Sequence, residues 1–206
     1  MCGIAGFVAP GVATDQAGAW LDRMLASIVH RGPDGAGTHV VPGLALGMRR
    51  LSIIDLEGGG QPVWNEDHTI GIVFNGEIYN YVELTAQLTA AGHVFRTHSD
   101  TEVLVHLYEE AGEAMFARLR GMFAFAIFDT QKNRLLLARD HFGQKPLYYA
   151  RDGARLAFAS ELKALFALPW VSRERDPGAF PDYVAWLSLP SPRVPFSDLM
   201  PAATFE

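Results

Sequence analysis

Met122-Phe-Ala-Phe-Ala-Ile-Phe128 is the longest apolar run in a chain of 206 residues. It has the length of a strand and falls far short of the roughly 18 residues a bilayer span requires. Its apolar/polar alternation is missing, as in a strand covered on both faces. Downstream, Arg134–Ala138, Leu147–Ala150 and Arg155–Ala159 read as further short strands, separated by turn-like segments at 130–133 and 151–154, which predicts an antiparallel meander. Upstream, strands are expected at Gly3–Ala9, Leu44–Arg50, Leu51–Ile54 and Thr69–Phe74, followed by a turn at Asn75-Gly76. Trp20, Leu21, Met24, Leu25 and Ile28 recur at helical spacing within Gln16–Val29. Asn80 stands where it can cap a helix running to Ala91 and stopped by Gly92. Ser99-Asp-Thr-Glu102 has capping-box spacing ahead of a helix running to Ala111 and stopped by Gly112. Doubly covered strands interspersed with amphipathic helices imply sheet packed on sheet with helices outside.

Composition narrows the function classes. Lys and Arg number 17 against 23 Asp and Glu, a formal charge of −6, which argues against a nucleic-acid-binding surface. At 49% hydrophobic and 19% charged, the chain is globular rather than disordered. The only cysteine is Cys2, so no internal disulfide and no CxxC pair can form, and a reducing, cytoplasmic setting fits. The opening residues lack a basic n-region and are broken by Gly3, Gly6, Pro10 and Gly11, which argues against a signal peptide. Seven histidines occur without HExxH or i, i+4 pairs, so no metal site is expected. Gly32-x-x-Gly35-x-Gly37 lacks the Lys-Ser/Thr of a phosphate-cradling loop, so no ATP site is expected either. Seven prolines fall in the last 38 residues, which marks 1–168 as a domain and 169–206 as a Pro-rich C-terminal segment.

Cys2 carries the one strong nucleophile. If Met1 is removed, a single residue holds a thiol and an α-amine, groups whose reference pKa values are about 8.5 and roughly 7.7–8.0. The amine can then serve as general base, through a bridging water because direct transfer needs a cramped five-membered ring. A buried, inert cysteine is the competing reading. His30, at a helix end, is an alternative base for the thiol, or simply a partner of the helix dipole.

Seven blocks occur in order: Met1-Cys-Gly-Ile-Ala-Gly-Phe7, His30-Arg-Gly-Pro-Asp34, Arg49-Arg-Leu-Ser-Ile-Ile-Asp55, Phe74-Asn-Gly-Glu-Ile-Tyr-Asn80, Ser99-Asp-Thr-Glu102, Gly121–Asp129 and Lys145-Pro-Leu-Tyr-Tyr149. Together they resemble the glutaminase domain of glutamine-hydrolysing asparagine synthetases. The resemblance implies an α+β fold, the four-layer αββα sandwich of N-terminal-nucleophile hydrolases, and hydrolysis of L-glutamine to L-glutamate and ammonia. It implies Cys2 as nucleophile and Asn75 and Gly76 as an oxyanion hole, the Asn by its side-chain amide and the Gly by a backbone N–H. It further implies Arg50 and Ile53 as substrate-binding residues, with the planar fork of Arg50 on the substrate carboxylate. Glu77 and Asp100 are implied as partners of the substrate ammonium, and Arg31 and Asp34 as shaping the site without reacting. No cofactor is implied for this half, while ATP and Mg are expected only in a synthetase half that would act in cis. A homodimer is a further expectation, and neither nucleic acid nor membrane is an expected partner.

The chain departs from the family pattern at Met48, His141 and Gln144. It also lacks the Ser-Gly-Gly-x-Asp-Ser pyrophosphate loop of the synthetase half, so amide synthesis is not expected of this chain alone. Competing assignments are the glutaminase domain of another class II amidotransferase, such as glucosamine-6-phosphate synthase or a peptide-modifying relative, and a docking module that hydrolyses nothing.

Overall fold

The computed structural model describes residues 2–51, 60–189, 194–196 and 199–201. In chain order its elements are β1 (Gly3–Val8), α1 (Thr14–Ser27), β2 (Gly35–Val41), β3 (Leu44–Arg50), β4 (Val63–Trp64), β5 (Ile70–Ile78), α2 (Tyr81–Ala90) and α3 (Asp100–Ala111). They continue with β6 (Gly121–Asp129), β7 (Arg134–Arg139), β8 (Tyr148–Asp152), β9 (Arg155–Ala159), α4 (Leu162–Leu165), α5 (Ala179–Trp186) and β10 (Leu199–Pro201). One sheet runs β10-β8-β9-β1-β3-β2 and the other β4-β5-β6-β7, and the strand pairs are antiparallel.

Side-chain alternation along the strands builds the layers. On β6, Phe123, Phe125 and Ile127 join Leu104, Leu107 and Leu88 of α3 and α2 in one apolar core. The intervening Ala124 and Ala126 face the other sheet, where they meet Ile4, Leu46, Met48 and Phe158. Large residues thus face the helices, and small ones allow the sheets to approach. On the far side of the first sheet, Ala5, Phe7, Ala157 and Ala159 pack with Leu21, Met24, Leu25 and Leu165 of α1 and α4. Three apolar layers between four layers of structure give the expected αββα sandwich. Each fully buried Leu, Ile or Phe contributes on the order of 1.5–3 kcal/mol.

Several local expectations change. Asn75-Gly76 is not a turn: both residues lie inside β5, opposite Ala124 and Phe123 of β6. The apolar residues on either side continue the strand, and β5 ends only at Ile78. The meander is divided, with β6-β7 in one sheet and β8-β9 in the other. The crossover between them is organised by the buried carboxylate of Asp140, which accepts from the backbone N–H groups of Phe123, Phe142, Gln144 and Lys145. Ser99 does cap α3, accepting from Thr101 N–H at 3.1 Å, but Glu102 does not complete the box. Its carboxylate instead accepts from Arg96 N–H, Thr97 N–H and the Thr97 hydroxyl, tying down the loop that enters the helix. Asn80 occupies the N-cap of α2, but its side chain bonds Arg118 and Arg120. Gly35 and Gly37 lie in β2, and a Cβ at Gly37 would fall 1.7 Å from the Gln61 carbonyl oxygen. The expected strand Leu51–Ile54 falls mostly outside the described residues, as do Ile53 and the rest of the Arg49–Asp55 block beyond Leu51. In the C-terminal segment, α5 forms and β10 adds to the edge of the larger sheet beside β8.

Candidate active site

The sheets meet at a pocket of about 180 Å³ whose lining includes Cys2, Arg50, Asn75, Gly76, Glu77 and Asp100. That is smaller than the roughly 300–1,000 Å³ of drug-sized sites and suits one small polar metabolite. Six of the seven expected site residues therefore come together, and the seventh, Ile53, lies outside the described residues.

Cys2 directly precedes β1, whose first residue pairs with Arg49 of β3, so the sulfur sits beside the end of β3. Leu51 N–H donates to Sγ at 3.4 Å, and Sγ lies 3.6 Å from the Leu51 carbonyl oxygen. The residue is partly exposed rather than sealed in the core. Its carbonyl accepts from Arg31 Nε at 3.0 Å, and the same guanidinium reaches Glu161 through Nη1 at 3.0 Å. Arg31 thereby anchors the start of the chain. His30 does not line the pocket; its half-exposed ring pairs with Glu161 at 2.8 Å. Glu161 is flanked by His30, Arg31 and Lys163; burial opposes its ionisation, but these partners hold its carboxyl below the usual glutamate range.

The facing wall comes from β5. Asn75 shares a strand face with Val73, which packs between the sheets, so its side chain turns toward the sheet that carries Cys2. It is 1% exposed, and its Nδ2 has no hydrogen-bond partner among the described residues. A buried amide donor left unpaired costs about 1–3 kcal/mol and calls for an explanation. Gly76 supplies a second donor by strand geometry. Phe74 N–H donates to Gln61 Oε1 at 2.6 Å and Ile78 N–H to Asp100 Oδ2 at 2.9 Å, both away from β6. Alternate residues direct their N–H groups to the same edge, so Gly76 N–H points out between them, beyond the end of β4. A Cβ at Gly76 would lie 2.3 Å from the Met122 carbonyl oxygen, so any other residue would wedge β5 from β6.

Two carboxylates close the pocket. Asp100, the first residue of α3, is 5% exposed. Burial pushes its carboxyl above the usual aspartate range; the Ile78 N–H offsets part of this, and the neighbouring Glu77 charge adds to it. Two adjacent acids in a small pocket favour a cationic guest. Sequence reasoning did not mark Gln61, Thr101, Met122 or the buried Lys145 as lining residues. Lys145 carried a signal, since it opens the Lys-Pro-Leu-Tyr-Tyr block; Gln61 carried none, because it reaches the site only through bonds to Phe74 and Thr101.

Two antiparallel sheets stacked between helical layers, with a cysteine leading a central strand into the inter-sheet pocket, define the N-terminal-nucleophile hydrolase class. A family model described as "Glutamine amidotransferase domain" matches residues 1–204. The glutamine-hydrolysing asparagine synthetase 1 of Bacillus subtilis is 44% identical over 194 residues, covering 93% of this chain and 30% of the relative. The glutamine-hydrolysing asparagine synthetase 3 of Arabidopsis thaliana is 38% identical and covers 100% of this chain and 37% of its own length. Among solved structures, the allosteric regulatory enzyme of purine biosynthesis superposes with a TM-score of 0.68 at 25% identity, over 81% of this chain and 43% of that one. The glutamine phosphoribosylpyrophosphate amidotransferase of B. subtilis shares the fold, with a TM-score of 0.65 at 24% identity, again over 81% of this chain and 43% of that one. The chain belongs to the glutamine amidotransferase domain family, and it is homologous to the glutaminase domains of asparagine synthetases. It spans about a third of the length of these synthetases.

Proposed function

We propose that this domain hydrolyses L-glutamine to L-glutamate and ammonia, with Cys2 as nucleophile once Met1 has been removed. The observation that carries the reading is a sulfur from one sheet and an unpartnered buried amide from the other lining one pocket. Sγ attacks the carboxamide carbon, and its proton passes through water to the α-amine of Cys2. The developing oxyanion accepts from Asn75 Nδ2 and Gly76 N–H. Collapse breaks the carbon–nitrogen bond, and ammonia leaves with the proton returned by the ammonium of Cys2. Water then attacks the γ-glutamyl thioester, the carbon–sulfur bond breaks, and glutamate is released. Arg50 binds the substrate carboxylate, Asp100 and Glu77 bind its ammonium, and Ile53 is a further substrate-binding residue. Glutamine bound this way replaces the mutual repulsion of buried Asp100 and its neighbour Glu77 by attraction to a cation.

In the whole protein, the ammonia feeds ATP-dependent synthesis of asparagine from aspartate by a synthetase domain in cis, which would bind ATP and Mg; this half needs no cofactor. The names of the homologous synthetases support that assignment. Residues 1–168 form the glutaminase domain and 169–206 lead toward the second domain, a division supported by the apolar side chains that α5 leaves exposed, among them Phe180, Val184 and Trp186. A cytoplasmic setting and a homodimer complete the proposal. The described residues contain no helix long and apolar enough to cross a membrane.

The test is glutamate release from glutamine, with asparagine as control, by wild type and Cys2→Ala. Wild type is expected to hydrolyse glutamine alone, and Cys2→Ala to fall to background while keeping its melting temperature. Undiminished turnover in Cys2→Ala would remove the sulfur from the mechanism.

A further inference from the structure

On the outer side of α3, away from the sheet interface, Glu66, His93, His106 and Glu109 bring one donor atom each to within 4.8 Å of one another. They come from three segments: the turn after β4, the loop after α2, and α3 itself. His106 is 1% exposed, and neither ring nitrogen has a hydrogen-bond partner among the described residues. Its Nδ1 stands 3.6 Å from Glu66 Oε2 and 3.6 Å from Glu109 Oε2. The Nδ1 of His93 stands 3.6 Å from the same Glu109 oxygen. Tetrahedral coordination with bonds of roughly 2.0–2.1 Å puts neighbouring ligand atoms about 3.3 Å apart. The spacing is too long for hydrogen bonds and close to that of ligands around one shared ion.

The surroundings orient each donor. Glu66 Oε1 accepts from Val94 N–H at 3.0 Å, leaving Oε2 turned inward. Glu109 Oε1 accepts from Asn65 Nδ2 at 3.2 Å, which does the same for its second oxygen. The remaining nitrogen of His106, Nε2, lies 3.7 Å from Oε1 of the buried Glu102. That is longer than a hydrogen bond, so Glu102 faces this nitrogen as a nearby charge while its Oε1 accepts from Arg96 N–H.

We infer that Glu66, His93, His106 and Glu109 form a structural site for a divalent first-row cation, Zn²⁺ by its two imidazoles, two carboxylates and four-point geometry. Oxygen-seeking Mg²⁺ fits this mixed set poorly. The ion clips the turn before β5 and the loop after α2 onto α3, whose first residue, Asp100, lines the pocket. The site departs from the expectation drawn from the histidine spacing, because its ligands are gathered by tertiary structure rather than by a local motif.

The test uses the 206-residue chain stripped with chelator and titrated with ZnCl₂, CoCl₂ or MgCl₂, read by bound metal per chain, cobalt absorption and melting temperature. One Zn²⁺ or Co²⁺ per chain is expected, with the visible spectrum of tetrahedral cobalt and a higher melting temperature, and no response to Mg²⁺. Glu66→Gln with Glu109→Gln, at side chains 35% exposed and therefore tolerant of the change, is expected to abolish the stoichiometric binding. Cys2→Ala is expected to bind as wild type does. Failure of wild type to bind Zn²⁺, binding unaltered in the double glutamine variant, or binding lost with Cys2 would each overturn the inference.

Discussion

The six-stranded sheet and the four-stranded sheet contribute to the pocket in different ways. The first brings a thiol and a guanidinium, Cys2 and Arg50, both at strand ends, with Cys2 held by Arg31 and Leu51. The second brings groups suited to hold charge: Asn75, Gly76 and Glu77 from the interior of β5, with Asp100 pinned to it through Ile78. On the proposed mechanism, reactive chemistry sits on one layer and electrostatic preorganisation on the other. The pocket exists only where the two layers pack, so the inter-sheet core around Leu46, Met48, Val73 and Ala124 sets the spacing of its walls.

Substitutions on opposite sheets sharpen this contrast. Asn75→Ala removes charge stabilisation while leaving the sulfur in place, and kcat for glutamate release is expected to fall by about 10²- to 10³-fold with little change in KM. A loss confined to KM would move Asn75 from the transition state to ground-state binding. Arg50→Lys, on the nucleophile's sheet, keeps a positive charge but loses the planar fork, and is expected to raise KM by about 10- to 100-fold with a smaller effect on kcat. An unchanged KM would break the assignment of the carboxylate to this sheet.

Acidity offers a third comparison. Burial and Glu77 raise the Asp100 carboxyl above the ordinary 3.8, so without glutamine its contribution to stability is present at acid pH and lost as pH rises through its raised value. Binding an ammonium group requires the ionised form, so glutamine affinity is expected to fall on acidification at a pH above that of an exposed aspartate. Asp100→Asn is expected to bind weakly at every pH and to flatten the profile; a wild-type slope in that variant would assign the titration elsewhere. The smallest effect on turnover is expected from Leu46→Ala in the inter-sheet core. It should cost about 2–5 kcal/mol in denaturant unfolding yet leave kcat of the folded fraction within a few-fold. A loss as large as that of Asn75→Ala would mean that the sheets' spacing, rather than the donors themselves, limits the rate.

The layered architecture was legible because β6 carries the unbroken apolar run Met122–Phe128, as a doubly covered strand does, and because α1 and α3 carry helical periodicity. Chemistry alone marked Cys2 as the one strong nucleophile, and the resemblance chose the reactive reading over an inert buried thiol. The remaining site residues were legible from blocks resembling a known family, and Asn75 shows why local rules fall short: Asn-Gly favours a tight turn, yet β6 and the packing on both faces hold the pair in a strand. Glu102 met the spacing of a capping box but found backbone donors in the preceding loop instead. The cluster at His106 was invisible because 13 residues separate it from His93 in sequence, and folding alone brings them to a ring distance of 4.9 Å. Lys145 reaches the pocket only because Asp140 folds the crossover between the sheets around itself.

The central claim is that the leading sulfur and the Asn75 amide act on one substrate, and rapid-quench mass spectrometry of the N-terminal peptide during glutamine turnover tests it directly. The account predicts a transient γ-glutamyl adduct on Cys2 of a chain that begins with Cys2, forming about 10²- to 10³-fold more slowly in Asn75→Ala. Glutamate released at the full rate by chains that retain Met1, or an adduct on any other residue, would contradict it.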